Sequence, residues 1–259
     1  MVQQLVSLFS RFIPRHHLQR FSGFFLKAIG VFYLGSKYED PISGKTYRKL
    51  MPYGRISPRP NALAPHSMSL ERHRLLWLYL KEKTPFFFNN LKVLHIAPEL
   101  CFINRFSKMK NLEYITADLQ SPWAKIKMDV QNIPFSDNQF DVIICNHVLE
   151  HVDNDHTAMK ELYRVMKPGG FGIFQVPIDN SIENTLEDDA INSPQLREKF
   201  YGQRDHMRLY GRDYPSRLRK SGFQVTEDRF AESLPEKNAT RFAIIRSEVI
   251  YLCKKPLNS

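Results

Sequence analysis

The sequence predicts an α/β domain built on a mostly parallel β-sheet, preceded by a helical and loop-rich N-terminal extension. Three observations predict it. From Leu91 onward, short apolar runs alternate with stretches of helical periodicity, the pattern of repeated βαβ units. The chain is 259 residues long, 42% apolar and 12% aromatic, enough to build a real core. Ionisable side chains stand directly after the apolar runs, where an open α/β sheet forms its ligand crevice.

The expected elements follow in chain order. Residues 1–37 read as two short amphipathic helices, with Leu5, Phe9 and Phe12, then Phe21, Phe24, Phe25 and Ile29, near helical spacing. They are either helices packed on the main domain or an interfacial membrane anchor, since Phe and Leu flanked by Arg and Lys suit both. Residues 38–69, rich in Pro, Gly, Ser, Tyr and Arg, read as loops or a small β-ribbon. They hold two similar boxes, Asp40-Pro41-Ile42-Ser43-Gly44 and Ala64-Pro65-His66-Ser67. A helix with Leu70, Leu75, Leu76 and Leu78 follows, with Ser69 as its expected N-cap, and opens the main domain, 70–259. Strands are expected at Leu91–Ala97, Glu113–Ala117, Phe140–Cys145, Phe171–Val176, Phe223–Thr226 and Ser247–Cys253, with helices at about 100–109, 154–166 and 207–221. Asn154 or Asp155 caps the second of these helices and Lys167-Pro168-Gly169-Gly170 ends it. The long connection 178–206 reads as a lid or acceptor loop.

Charge and cysteine usage narrow the function classes. The net charge of +10 lies entirely in residues 1–90, which hold 14 Lys/Arg against 4 Asp/Glu, whereas residues 91–259 hold 23 of each. A neutral main domain speaks against a nucleic-acid partner, and the basic third is left to meet RNA, an anionic membrane or an acidic substrate. Cys101, Cys145 and Cys253 form no C-x-x-C pair, which fits a reducing cytoplasm. Neither a signal peptide nor a membrane-spanning run is evident. The expected location is cytoplasmic, with residues 1–37 as a candidate peripheral contact at the inner face of the membrane.

The candidate site residues sit behind the strands. After the first comes His95-Ile96-Ala97-Pro98-Glu99-Leu100-Cys101, a loop with no glycine, although a nucleotide-type cofactor ordinarily needs one there. Asp118 ends the second strand, placed either to accept ribose hydroxyls or to cap its own turn. Asp129 precedes Val130 and the run Asn132-Ile133-Pro134-Phe135. The richest stretch is Phe140 to Val152, which delivers Asn146, His147, Glu150 and His151 to one strand end.

In order and spacing, Tyr114–Asp118, Asp129–Phe135, Phe140–Val152 and Arg164–Gly170 resemble the type 11 family of class I S-adenosylmethionine-dependent methyltransferases. The resemblance covers residues 91–178. It implies a Rossmann-like, seven-stranded, mostly parallel sheet with an antiparallel last strand at Ser247–Cys253. It also implies S-adenosylmethionine as cofactor, held by His95, Ala97, Pro98 and Glu99 in the first loop, Asp118 at the ribose with Leu119 next to it, Asp129 and Val130 at the adenine, and Asn146 and His147 beside them. The family's acidic residue and three glycines fall on His95, Ala97, Glu99 and Cys101, so the loop is a variant in which Glu99 is expected to bind the methionine ammonium. A narrower bacterial group resembles this chain in its H-x-A-P-E loop and carries C-P-x-C at both Pro boxes. Here those cysteine positions are Asp40, Ser43, Ala64 and Ser67, which implies a zinc-ribbon-like segment without its zinc ligands.

Methyl transfer from a sulfonium is an in-line displacement that needs alignment and, for a hydroxyl or amine acceptor, a base. His147, Glu150, His151 and His206 are the candidate catalytic residues, with His206 expected to open the helix at 207–221. Glu150, His151 and His206 also form part of a divalent-cation donor set, but His147 stands where an E-x-x-E-H motif has its first acid, and no metal is assigned. The leading function is methylation of a small-molecule, sugar or lipid-linked acceptor. The alternative is a non-catalytic cofactor-binding or adaptor protein acting through the basic N-terminal third.

Overall fold

The computed structural model describes residues 26–54 and 58–257. Most of the amphipathic-helix expectation, including Leu5 to Phe25, lies outside the described residues. The described residues divide into two compact units, one lying within 26–87, 100–105 and 230–248, the other within 88–99, 106–229 and 249–257.

The second unit is organised by a seven-stranded sheet of β5 (Leu91–Ile96), β6 (Leu112–Asp118), β7 (Ile126–Lys127), β8 (Phe140–Asn146), β9 (Met166–Gln175), β10 (Gln224–Asp228) and β11 (Ile250–Lys254). Their order is β10-β11-β9-β8-β5-β6-β7. β5 through β9 pair in parallel, and β11 runs antiparallel between β9 and β10. This is an α/β, Rossmann-like sheet of the seven-stranded, mostly parallel kind that the family resemblance implies. The central strands are apolar on both faces because both are buried: Val93, Leu94, Val142, Ile143, Ile144 and Cys145 have no exposed surface. β7, only two residues long, carries no sequence signal.

Two helices in this unit share a core with one sheet face. The helix Asp155–Val165 opens on Asn154, whose side chain accepts from Thr157 N, and buries Ala158, Met159, Leu162 and Val165. The helix Tyr214–Lys220 buries Tyr214, Pro215 and Leu218. The first set, with Tyr214 and Leu218 of the second, packs with Leu94, Ile96, Ile143, Cys145 and Phe174. The second helix is shorter than the expected 207–221, and His206 does not open it. The preceding chain is extended instead, with bridges Ile178 to Tyr210 and Leu186 to Leu209. A Cβ on Gly211 would lie 2.8 Å from the Asn184 carbonyl carbon, so this close pass requires glycine. The helix starts only where Pro215 presets its first turn. The 178–206 connection contains an unforeseen helix, Pro194–Tyr201, capped by Ser193. Lys167 to Gly170, expected as a helix stop, lie inside β9.

In the first unit, residues 38–69 resolve into two hairpins, β1 (Leu34–Asp40) with β2 (Lys45–Tyr47) and β3 (Met51–Tyr53) with β4 (Arg59–Leu63). The two Pro boxes fold alike. Gly44 N donates to Asp40 O and Met68 N to Ala64 O, both at 2.8 Å, and Gly44 and Met68 have φ of 71° and 63°. Asp40 is fully buried; its carboxylate accepts from Ile42 N, Ser43 N, Ser43 Oγ and Ser69 Oγ. Ser69 therefore does not cap the helix α1 (Glu71–Lys83), whose N-cap is Leu70, and whose first turn is closed by Leu70 N donating to His73 Nδ1. Arg74 is also fully buried. Burial lowers its pKa to about 10, and its guanidinium donates to carbonyls of Ala62, Ser69, Phe242 and Ala243. Asp40→Ala strands four donors at once and is expected to lower the unfolding free energy by about 1–3 kcal/mol, read as a lower denaturant midpoint at unchanged slope.

Candidate active site

Strand register gathers the site. Ile96 of β5 lies opposite Ala117 of β6 and Cys145 of β8, so Ala97, Asp118 and Asn146 follow at three adjacent strand ends. Ala97 has φ of 49° and His147 φ of 54°, the left-handed region that costs a non-glycine residue of order 1 kcal/mol. The first loop thus makes its sharp turn without glycine, secured by Ala97 N donating to Ala117 O.

Two polar networks follow. In the first, His95 has no exposed surface. Its Nδ1 meets the Tyr114 hydroxyl at 2.8 Å and its Nε2 meets Glu99 Oε2 at 2.7 Å. Glu99 Oε1 accepts from Asn146 Nδ2 at 3.4 Å. His95 therefore orients Glu99, and Glu99 joins the first loop to β8. Asn146 Oδ1 is buried with no hydrogen-bond partner among the described residues.

In the second network, His147 Nδ1 meets Glu150 Oε1 at 3.2 Å. Glu150 is 1% and His206 3% exposed, and the rings of His151 and His206 meet edge to face with centroids 4.8 Å apart. Burial, and then the neighbouring His151, lower the pKa of His206 below the usual imidazole value. His147 Nε2, Glu150 Oε2 and His206 Nε2 are buried without partners among the described residues. All four candidate catalytic residues thus fall in one cluster.

The acids after β6 and β7 stand in turns. Asp118 Oδ1 accepts from Gln120 N at 2.6 Å and Ser121 N at 2.5 Å. Asp129 Oδ1 accepts from Gln131 N at 2.8 Å. Leu119 is 52% exposed, whereas Val130 is 5% exposed and belongs to the core.

Residues that sequence reasoning did not single out hold the second network in place. Arg208, 3% exposed, donates to the carbonyls of Leu149, Val152 and Asp153 at 2.7–2.8 Å. The Tyr210 hydroxyl donates to Asp155 Oδ2 at 2.7 Å, and Met207 N to Glu150 O at 2.7 Å. No local pattern marks these residues; their partners lie more than fifty positions away.

Residues 100–174 match the methyltransferase domain family, Methyltransf_11. Among curated proteins, the chain is 31% identical over 108 residues to an arsenite methyltransferase of Aquipseudomonas alcaligenes, covering 41% of this chain and 28% of that protein. It is 48% identical over 42 residues to a demethylmenaquinone methyltransferase of a Geobacillus species, covering 16% and 18%. The chain thus spans under a third of the length of either relative. Among solved structures, the cyclase SpnF superposes with a TM-score of 0.52 at 14% identity, over 92% of this chain and 97% of that one. That likeness concerns the fold alone. Fold and family match agree: the chain carries the class I methyltransferase architecture, with residues 100–174 as its recognisable methyltransferase segment.

Proposed function

We propose that the chain is an S-adenosylmethionine-dependent methyltransferase acting on a small-molecule, sugar or lipid-linked acceptor. One observation carries this reading: Ala97, Asp118 and Asn146 align at three neighbouring parallel strand ends, where an open α/β sheet binds its ligand. The residues present fit the cofactor. The left-handed Ala97 supplies the turn that glycine usually makes. Glu99 offers a carboxylate to the methionine ammonium, with His95 orienting it, and Pro98 stiffens the turn between them. Asp118 keeps Oδ2 for the ribose hydroxyls, since only Oδ1 serves its turn. Leu119 exposes an apolar surface for the adenine, Asp129 and Val130 are proposed to meet its amine, and Asn146 Oδ1, without a partner among the described residues, adds a buried acceptor.

The bound cofactor supplies an activated methyl group on sulfur. The chain's own residues then have to place and deprotonate the acceptor. His147 is the proposed base: Glu150 Oε1 holds its Nδ1, which leaves Nε2 to take a proton. Glu150, His151 and His206 complete the acceptor side of the cluster, and residues 178–206 are the proposed lid. The amphipathic stretch 1–37 is the proposed contact with a membrane when the acceptor is lipid-linked.

Calorimetry with S-adenosylmethionine and S-adenosylhomocysteine tests the reading. Native protein is expected to bind both, and Asp118→Ala to weaken binding about tenfold to hundredfold, the value of a charge-assisted hydrogen bond. Asp118→Asn, which keeps the turn acceptor, separates loss of charge from loss of the turn. A second reading, a non-catalytic adaptor of this fold, is favoured by the glycine-free first loop. Failure of the native protein to bind either ligand at millimolar concentration would sink the enzyme reading in its favour.

A further inference from the structure

We propose that Glu150, His151 and His206 bind one divalent first-row transition-metal ion on the acceptor side of the sheet edge. One ligand atom from each of the three lies within 4.8 Å of the other two. Two of these side chains are almost fully buried, at 1% and 3% exposure, and each turns an atom, Glu150 Oε2 and His206 Nε2, away from every hydrogen-bond partner among the described residues. Leaving such a group buried and unpaired is costly, and two side by side call for a shared ligand.

The backbone fixes which nitrogens face that ligand. His206 Nδ1 lies 3.1 Å from the Tyr201 carbonyl and His151 Nδ1 3.1 Å from the Asp205 carbonyl. A carbonyl oxygen only accepts, so each Nδ1 carries the proton and donates. Both imidazoles then present the lone pair of Nε2 inward, which is how metal-bound histidines are oriented by their outer partners. Glu150 is held in turn, since His147 engages Oε1 and leaves Oε2.

The donor set selects the ion. Two imidazoles and one carboxylate suit zinc, cobalt, manganese or iron, whereas magnesium prefers oxygen donors and keeps its waters. Ligands at zinc distances stand about 3.3 Å apart in a tetrahedron, so the three atoms must draw inward by under about 1.5 Å. His151, 34% exposed on its side chain, has room to swing. Three protein ligands leave a coordination position open. On the methyltransferase reading, an acceptor oxygen occupies it and loses its proton more readily; the ion site itself does not depend on that reading.

The test uses the full chain, stripped with chelator and titrated with Zn²⁺, Co²⁺ and Mg²⁺ in the absence of any methyl donor. One equivalent of Zn²⁺ is expected to bind at micromolar Kd or tighter, Mg²⁺ at least a hundredfold more weakly. Co²⁺ is expected to give d–d absorption bands that Zn²⁺ removes. Glu150→Gln and His206→Gln are each expected to weaken Zn²⁺ binding at least a hundredfold, with His151→Asn retaining part of it. Should a variant fail to fold, the cobalt spectrum of the native chain decides: bands of a nitrogen- and oxygen-ligated ion support the site. Absence of those bands, stoichiometric binding of no ion, or equal binding by folded variants overturns it. Methyl-donor binding, measured separately, stands or falls without affecting these outcomes.

Discussion

Arg208→Met is expected to lower the unfolding free energy by about 3–5 kcal/mol, the cost of removing one member of a buried, fully engaged charge group. The guanidinium is 3% exposed and makes two kinds of contact. It donates to the carbonyls of Leu149, Val152 and Asp153, and it pairs with Glu187 at 2.9 Å while lying 3.9 Å from Asp155. Methionine fills similar space but removes the side-chain donor from the part-buried carbonyls of Val152 and Asp153, and leaves Leu149 O to Tyr210 and Glu187 to Arg217. Those carbonyls belong to the turn that carries His147, Glu150 and His151, so the second consequence is loss of site geometry. Displacements of about 1 Å at a catalytic group cost about a hundredfold in rate. Arg208→Lys restores the charge but not the fork, because an ammonium cannot span three carbonyls in one plane. The lysine variant is therefore expected to recover part of the stability and little of the proposed zinc and cofactor binding. Denaturant unfolding and calorimetry on the two variants check this. Equal stability of Arg208→Met and the native chain would show that the turn holds itself.

The same contrast separates what was legible in the sequence from what was not. β8 and the helix behind it were readable almost to the residue, expected at 140–145 and 154–166 and found at Phe140–Asn146 and Asp155–Val165. A strand buried on both faces reads as one unbroken apolar run, and a helix with an Asn cap and a steady apolar face marks its own start. The sheet's class was equally plain, and a last strand was expected at Ser247–Cys253 and found at Ile250–Lys254, its antiparallel direction coming from the family resemblance and not from spacing. The helix expected at 207–221 was not, because Leu209 and Tyr210 are apolar for another reason. They bridge to Leu186 and Ile178 as extended chain, and Tyr210 fills the core from there. Spacing alone cannot tell a buried extended segment from a buried helical one. The hairpins at 34–63 are short and irregular in register, which left only turn residues to read. At the site, Asp118, Glu99 and the 146–151 run could be named because strand ends position them. Arg208 could not, since its value lies in carbonyls 55 to 59 residues away.

Asp155→Asn is expected to destabilise the chain by about 2–4 kcal/mol near neutral pH and by progressively less as the solution is acidified. Burial alone would raise the Asp155 pKa. The hydrogen bonds of Arg217 and Tyr210, with the nearby charge of Arg208, outweigh it and hold the carboxyl below its ordinary value of 3.8. The carboxylate is 4% exposed and meets Arg217 at 2.8 Å. Arg217 is itself 22% exposed, so the estimate falls somewhat below the value for a wholly buried pair. The sign follows from linkage. A carboxyl whose pKa is lower folded than unfolded binds fewer protons in the native state. Its stabilising effect is complete above the unfolded value and fades as pH falls below about 4 through the folded one. The amide variant has no such proton to bind, so the gap between the two unfolding free energies holds constant from pH 8 to about pH 5 and then narrows. Chemical denaturation at pH 7, 5, 4 and 3 measures the gap directly. A gap that stays constant down to pH 3 would mean that Asp155 acts only through the shape of its hydrogen bonds. Its carboxylate charge, and the pairing of Arg208 and Arg217 around it, would then contribute nothing to holding the 147–153 turn against the sheet edge.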